Sequence, residues 1–243
     1  MPRTGDLYRA VRRGGKGFEK TRPHGGKGFE KPQSSGGKGF EKFFRKGSLR
    51  FENRHACARA GERDCGDLAV VRPFACGVLL AVLDGVGHGP EATLAARLAG
   101  EVLETHSGDP VVSLVQRCHQ RLRGTRGVAM SLAAIDVLNK SMAWLGVGNV
   151  RGIFRCRAAP FSASGEFLLL RAGVVGADLP PLRATDFPVS AGDTLVFATD
   201  GVDDAFTRQS AWRGRPQQAA DTILAKFGKA TDDALVLVAR YVG

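Results

Sequence analysis

An apolar run that ends on Asp-Gly is the feature that most restricts how this chain folds. Residues 79–83 read Leu-Leu-Ala-Val-Leu, and Asp84-Gly85 follow directly. Such a run predicts a strand buried on both faces, and the glycines after it let the backbone approach a ligand closely. Pro90 predicts a helix start, because the first helical position needs no N–H. The segment is therefore either a tight turn capped by Asp84 or a site for a hard cation or a phosphate.

The same pattern recurs towards the C-terminus, where the apolar run 195–198 ends on Thr-Asp-Gly. A last apolar run, 234–239, is preceded by two aspartates. Another aspartate opens a strand that predicts a hairpin with the run 79–83, which would place its carboxylate at the same sheet edge as Asp84. The carboxylates at these strand edges are Asp67, Asp84, Asp200, Asp232 and Asp233.

The intervening segments predict the remaining elements. Apolar spacing and proline positions predict helices over 90–105, 110–124 and 217–227. Residues 128–137 and 141–148 predict a hairpin, and further short strands are expected at 149–155 and 168–171.

Several aspartates at one sheet edge repel each other unless cations neutralise them. Their oxygen-only chemistry favours Mg²⁺ or Mn²⁺ over Zn²⁺. An aspartate that bridges two such ions is the arrangement of two-metal hydrolases of phosphate esters, in which a water attacks phosphorus directly. Each aspartate taken alone is more often a cap or turn residue. Together they predict a metal site.

The basic charge of the chain is concentrated at its N-terminus. The net charge is +11, but residues 1–46 contribute +9 of it and the remainder only +2. The motif Gly-Gly-Lys-Gly-Phe-Glu-Lys occurs at 14–20, 25–31 and 36–42. Such glycine-rich units bury too little apolar surface to order themselves, so we predict a disordered tail over 1–46 and a folded domain over 47–243. RNA binding by the tail is the alternative.

The cysteine spacing and the lengths of the apolar runs indicate where in the cell the protein is located. The five cysteines show no CxxC spacing, and the N-terminus has no apolar signal segment. The longest apolar run is too short to span a bilayer. We therefore expect a cytoplasmic protein without a membrane partner.

These segments, in this order, resemble the metal-dependent protein phosphatases of the protein phosphatase 2C type, in their bacterial SpoIIE-like branch. The likeness spans almost all of residues 49–241 and rests on 65–67, 84–89, 146–149, 199–201 and 232–233. It implies an α+β fold, an αββα sandwich of two antiparallel sheets flanked by helices, with a dinuclear site at one end. Within that branch the chain is most similar to the stand-alone phosphatases of the bacterial stressosome. Residues 116–120, 126–129 and 147–151 carry this closer likeness, and the short length agrees with it.

The resemblance also implies a role for each site residue. Asp84 would bridge two Mn²⁺ or Mg²⁺ ions, with the Gly85 carbonyl as a further ligand. Asp67 would contact the first ion directly or through water, and Asp200 would bind the second. The last metal ligand would be Asp232 or, as the less favoured alternative, Asp233. His88 is not an expected ligand.

The implied activity is dephosphorylation of phosphoserine or phosphothreonine in STAS-domain proteins of a stress-signalling complex. Two alternatives remain open. One is a non-catalytic regulator that binds phosphoproteins, and the other is a phosphatase of a different anti-sigma-factor antagonist.

Overall fold

The structure, a computed structural model, describes residues 49–56, 65–157, 166–167, 170–208 and 214–243, with the backbone alone for 49–56 and 166–167. The predicted tail, 1–46, lies outside these ranges, so its expected disorder stays a prediction. None of the helices described is both long enough and apolar enough to cross a bilayer.

Ten strands and three α-helices make up the described part of the chain. The strands are β1 (Leu49–Ala56), β2 (Asp67–Phe74), β3 (Gly77–Gly85), β4 (Val128–Asp136), β5 (Ser141–Val147), β6 (Arg151–Arg155), β7 (Glu166–Phe167), β8 (Thr185–Pro188), β9 (Thr194–Ala198) and β10 (Ala234–Tyr241). The helices are α1 (Pro90–Thr105), α2 (Val111–Arg121) and α3 (Pro216–Phe227), with a short 3₁₀ helix at Asp204–Arg208.

The strands form two antiparallel sheets. In the first sheet the order is β2-β3-β4-β5-β8, and in the second it is β1-β10-β9-β6-β7. Every pair of neighbouring strands is antiparallel. Strand β10, formed by residues near the C-terminus, lies between β1 and β9.

Strand β3 shows why its sequence is apolar without interruption. Because successive side chains point to opposite faces, Leu79 and Leu83 pack against the helices α1 and α2. Val78, Leu80 and Val82 point the other way and pack against the second sheet. Each fully buried leucine stabilises the fold by about 1.5–3 kcal/mol.

The second sheet is covered in the same way on its outer face. Val236 and Val238 of β10 pack with Ala220 and Ile223 of α3, whereas Leu237 faces the first sheet. The layers are therefore helix, sheet, sheet and helix, which confirms the αββα sandwich.

Two details differ from the sequence predictions. Strand β8 was not predicted, because it is short, mostly exposed and ends on Pro188. Of the strand expected at 168–171, the structure shows only an isolated bridge between Arg171 and Val147, and residues 168–169 lie outside the described ranges.

Candidate metal centre

The hairpin of β2 and β3 brings the first two carboxylates together. Its register places Asp67 directly opposite Asp84 at the edge of the first sheet, as the sequence predicted. Asp67 is only 5% exposed, and Asp84 is half-buried.

The second sheet supplies the other three carboxylates. Strands β9 and β10 pair through Ala198 and Val236, so the end of β9 lies beside the start of β10. Asp200 follows β9 and is exposed, as is Asp232 just before β10. The two connections touch, since a Cβ added to Gly201 would lie 1.8 Å from the Asp233 carbonyl oxygen. Only glycine fits at position 201.

Two hydrogen bonds each connect a carboxylate of one sheet to a donor of the other sheet. The backbone N–H of Gly66 donates to Asp233 Oδ2 at 3.1 Å. The Thr199 hydroxyl donates to Asp67 Oδ2 at 2.7 Å and accepts from the Leu235 N–H at 2.9 Å. All four strand edges that carry aspartates therefore meet at one end of the sandwich.

The electrostatics of this cluster are those of acids crowded together. Burial raises the pKa of Asp67 to about 7, and the charges of Asp233, Asp200 and Asp232 raise it as well, although the Thr199 hydrogen bond lowers it. Burial, and then repulsion from Asp67, Asp200 and Asp232, raises the pKa of Asp84 to about 8. A cation bound here would favour the charged form of both carboxylates and so lower both pKa values.

The glycine loop after β3 is held close to the cluster. Gly85 donates its N–H to the Gly66 carbonyl at 3.0 Å. A Cβ at Gly85 would lie 2.2 Å from the Ala92 carbonyl oxygen of α1, so a side chain is excluded. His88 is exposed, and the structure gives it no place among the carboxylates.

Sequence reasoning missed three polar residues that contact the cluster. They are Thr199, Asn149, whose Nδ2 donates to Asp200 Oδ2 at 2.6 Å, and Lys229, whose Nζ donates to the Asp200 carbonyl at 2.6 Å. Thr199 leaves a signal in the sequence as a polar residue at the end of a fully apolar strand. Thr199 and Asn149 both lie in segments that carry the family resemblance, 199–201 and 146–149, but no role was predicted for either side chain.

The donor set fits hard divalent cations. In the part of the chain that the structure describes, no group of three acidic, histidine or cysteine side chains is arranged to hold a metal ion by itself. Mg²⁺ does not need one, because it keeps several waters and is commonly held by one or two carboxylates. Oxygen donors with no imidazole or thiolate among them disfavour Zn²⁺.

The sequence is similar to those of known proteins. The sequence profile of Stage II sporulation protein E (SpoIIE) matches residues 76–242. Phosphoserine phosphatase RsbX of Bacillus subtilis (strain 168) is 23% identical over 182 residues, which cover 74% of this chain and 88% of RsbX.

Solved structures show the same fold. RsbX in complex with magnesium has a TM-score of 0.71 at 20% identity, covering 80% of this chain and 96% of the other. A chain from the structure described as "The bacterial stressosome: a modular system that has been adapted to control secondary messenger signaling" has a TM-score of 0.68 at 30% identity, covering 79% of this chain and 98% of the other. The chain belongs to the Stage II sporulation protein E (SpoIIE) family, and it is a phosphatase of the protein phosphatase 2C type.

Proposed function

We propose that this chain is a Mn²⁺- or Mg²⁺-dependent phosphatase that removes phosphate from serine or threonine of STAS-domain proteins in a bacterial stress-signalling complex. The observation that carries the metal-dependent reaction is the meeting of five aspartates at one end of the sandwich, where burial and mutual repulsion raise two of their pKa values. The substrate class is supported by the likeness to phosphoserine phosphatase RsbX and to a stressosome component.

The proposed ligands divide between the two sheets. Asp84 would hold both cations, Asp67 would contact the first ion directly or through water, Asp200 would bind the second, and the Gly85 carbonyl would add a main-chain oxygen. Asp232 is the proposed last ligand. When bound, the two cations offset the negative charge of the phosphate and make a water acidic enough to attack phosphorus.

Asp233 is the less favoured alternative to Asp232 because it is less exposed and its Oδ2 accepts the N–H of Gly66, which precedes β2 in the opposite sheet, whereas Asp232 Oδ1 accepts the N–H of its own neighbour Asp233. Its side chain holds the start of β2 against the start of β10 instead. Asp200 and Asp232 are the two exposed carboxylates of the cluster, so a phosphorylated loop of a partner protein reaches the site from their side. Asp67 and Asp84 form its buried floor.

The reaction is tested by release of phosphate from a phosphorylated STAS-domain protein in manganese, with and without EDTA. We expect turnover that EDTA abolishes and that Asp84→Asn reduces by at least about 100-fold, because the variant removes a charge on which both ions depend. Asp186→Asn is the matched control, since Asp186 is an exposed aspartate on the edge strand β8.

Activity that survives EDTA, or survives Asp84→Asn, would refute the two-metal mechanism. Binding of the phosphorylated partner without turnover in manganese would instead identify a non-catalytic regulator. Turnover of generic phosphoserine peptides together with no turnover of STAS-domain proteins would reject the proposed substrate and keep the chemistry.

A further inference from the structure

Asn149 occupies a fixed position between the two sheets. It lies in the link from β5, in the first sheet, to β6, in the second. The preceding Gly148 has φ +90°, and a Cβ there would lie 2.5 Å from the Cβ of Ala129. The Gly148 N–H also donates to the Arg171 carbonyl at 2.8 Å. The backbone that carries Asn149 is therefore restrained from both sides.

The Asn149 amide acts on carboxylates from both sheets. Its Nδ2 donates to Asp200 Oδ2 at 2.6 Å, which is short for a hydrogen bond to nitrogen. The same side chain also hydrogen-bonds Asp84. A single amide thus interacts with both acids that are proposed to share a cation.

The amide group suits this position better than a charged group would. It has two N–H donors and no net charge, so it reduces the repulsion between two carboxylates without competing with a cation for them. A hydrogen bond to one oxygen of Asp200 leaves the other oxygen available to a cation, because an ionised carboxylate has two acceptor oxygens. A lysine here would take the place of the ion, and an aspartate would add a further repulsive charge.

We propose that Asn149 is a positioning residue that orients Asp84 and Asp200 towards the same divalent cation. This inference rests on the proposed metal centre and deepens it. Asn149 itself is exposed, so its replacement removes little packing, and an effect on metal binding is separable from an effect on folding.

The test is calorimetric titration of the full chain with Mn²⁺ after treatment with EDTA. Asn149→Ala and Asn149→Leu should each weaken manganese binding by about 10–100-fold, the usual cost of removing a group that hydrogen-bonds a metal ligand. Leucine is close to asparagine in shape, so it separates the loss of the donors from the loss of volume.

Asn139→Ala is the matched control. Asn139 Nδ2 also donates to an aspartate, Asp136 Oδ2, at 2.8 Å, but in the turn between β4 and β5. This variant should leave the manganese affinity unchanged. Urea unfolding in EDTA should give similar midpoints for Asn139→Ala and Asn149→Ala.

Manganese affinity equal to that of the unaltered protein in Asn149→Ala, or restored by Asn149→Leu, would overturn the inference. A crystal of the unaltered protein grown with Mn²⁺ gives a second test that needs no variant. The Asn149 amide should remain within hydrogen-bond distance of Asp200, and an amide turned to solvent would also overturn it. No manganese binding by the unaltered protein would refute the metal centre itself and this inference with it.

Discussion

The Thr199 hydroxyl makes two hydrogen bonds, one to Asp67 of the first sheet and one from Leu235 within the second sheet, and we predict that Thr199→Val weakens both the fold and the metal site. Thr199 is 2% exposed, and Leu235, whose N–H donates to the Thr199 hydroxyl, is 1% exposed. Valine keeps the shape of threonine but has neither a donor for Asp67 nor an acceptor for Leu235. Thr199→Ser keeps the hydroxyl and loses only a methyl group.

The expected magnitudes follow from these contacts. A hydrogen bond to a charged group contributes about 1.5–3 kcal/mol, and a buried N–H left without a partner costs about 1–3 kcal/mol. We therefore expect Thr199→Val to lower the free energy of unfolding by about 3–5 kcal/mol. Thr199→Ser should lower it by about 1 kcal/mol, the contribution of one buried methyl group.

Urea unfolding in EDTA at pH 8 measures this difference, and manganese titration measures its effect on the site. Because the Thr199 hydrogen bond lowers the pKa of Asp67, its loss raises that pKa above its value of about 7. Protons then compete with the cation, so the affinity of Thr199→Val should fall more at pH 7 than at pH 9. Equal stability of the valine and serine variants, or equal manganese affinity, would refute the reasoning.

Three further predictions concern the cluster and the tail. Since the pKa values of Asp67 and Asp84 are raised from 3.8 to about 7 and about 8, the folded protein retains protons that the unfolded chain releases. Their contribution to the stability of the metal-free protein is complete below about pH 4, falls as the pH rises above that value and is gone above about pH 8, which urea midpoints in EDTA should show. Gly201→Ala should lower the melting temperature and abolish manganese binding, because its Cβ would strike the Asp233 carbonyl. Deletion of residues 1–46 should leave phosphatase activity and manganese affinity unchanged, as measured on the shortened chain.

Each of these predictions has a clear contrary result. Urea midpoints that rise between pH 5 and pH 9 without metal would contradict the shifted carboxyl groups. Normal manganese affinity in Gly201→Ala would show that the two connections can separate. Loss of activity on removing the tail would move the domain boundary towards the N-terminus. Salt-dependent RNA binding that disappears with the tail would support its alternative role.

The positions of the aspartates were predictable because each lies at the end of an apolar strand. In two strands that are buried on both faces, the change from apolar residues to Asp-Gly marks the end of the strand. The predicted hairpin of β2 and β3 placed Asp67 close to Asp84. The meeting of the two sheets came from the family resemblance, since apolar patterns alone do not fix which sheets pack together.

The hydrogen-bonding partners of the aspartates were not predictable in the same way. Thr199 and Leu235 are adjacent only because β9 and β10 pair, and Asn149 reaches Asp200 only because its link crosses between the sheets. Such contacts depend on register, which local propensity does not determine. Strand β8 was missed for a related reason, because an exposed edge strand has no apolar pattern to mark it.

The central position of β10 has a consequence for the nascent chain. This strand is made after the other strands of its sheet, yet it separates β1 from β9. Until residues 232–241 have left the ribosome, β1 lacks its partner β10, and Asp67 and Asp84 lack the acidic residues that precede β10. Contacts between segments so distant in sequence form slowly, so we expect phosphatase activity to appear only after β10 has been released and inserted. A premature stop before β10 would leave two strand edges exposed to aggregation.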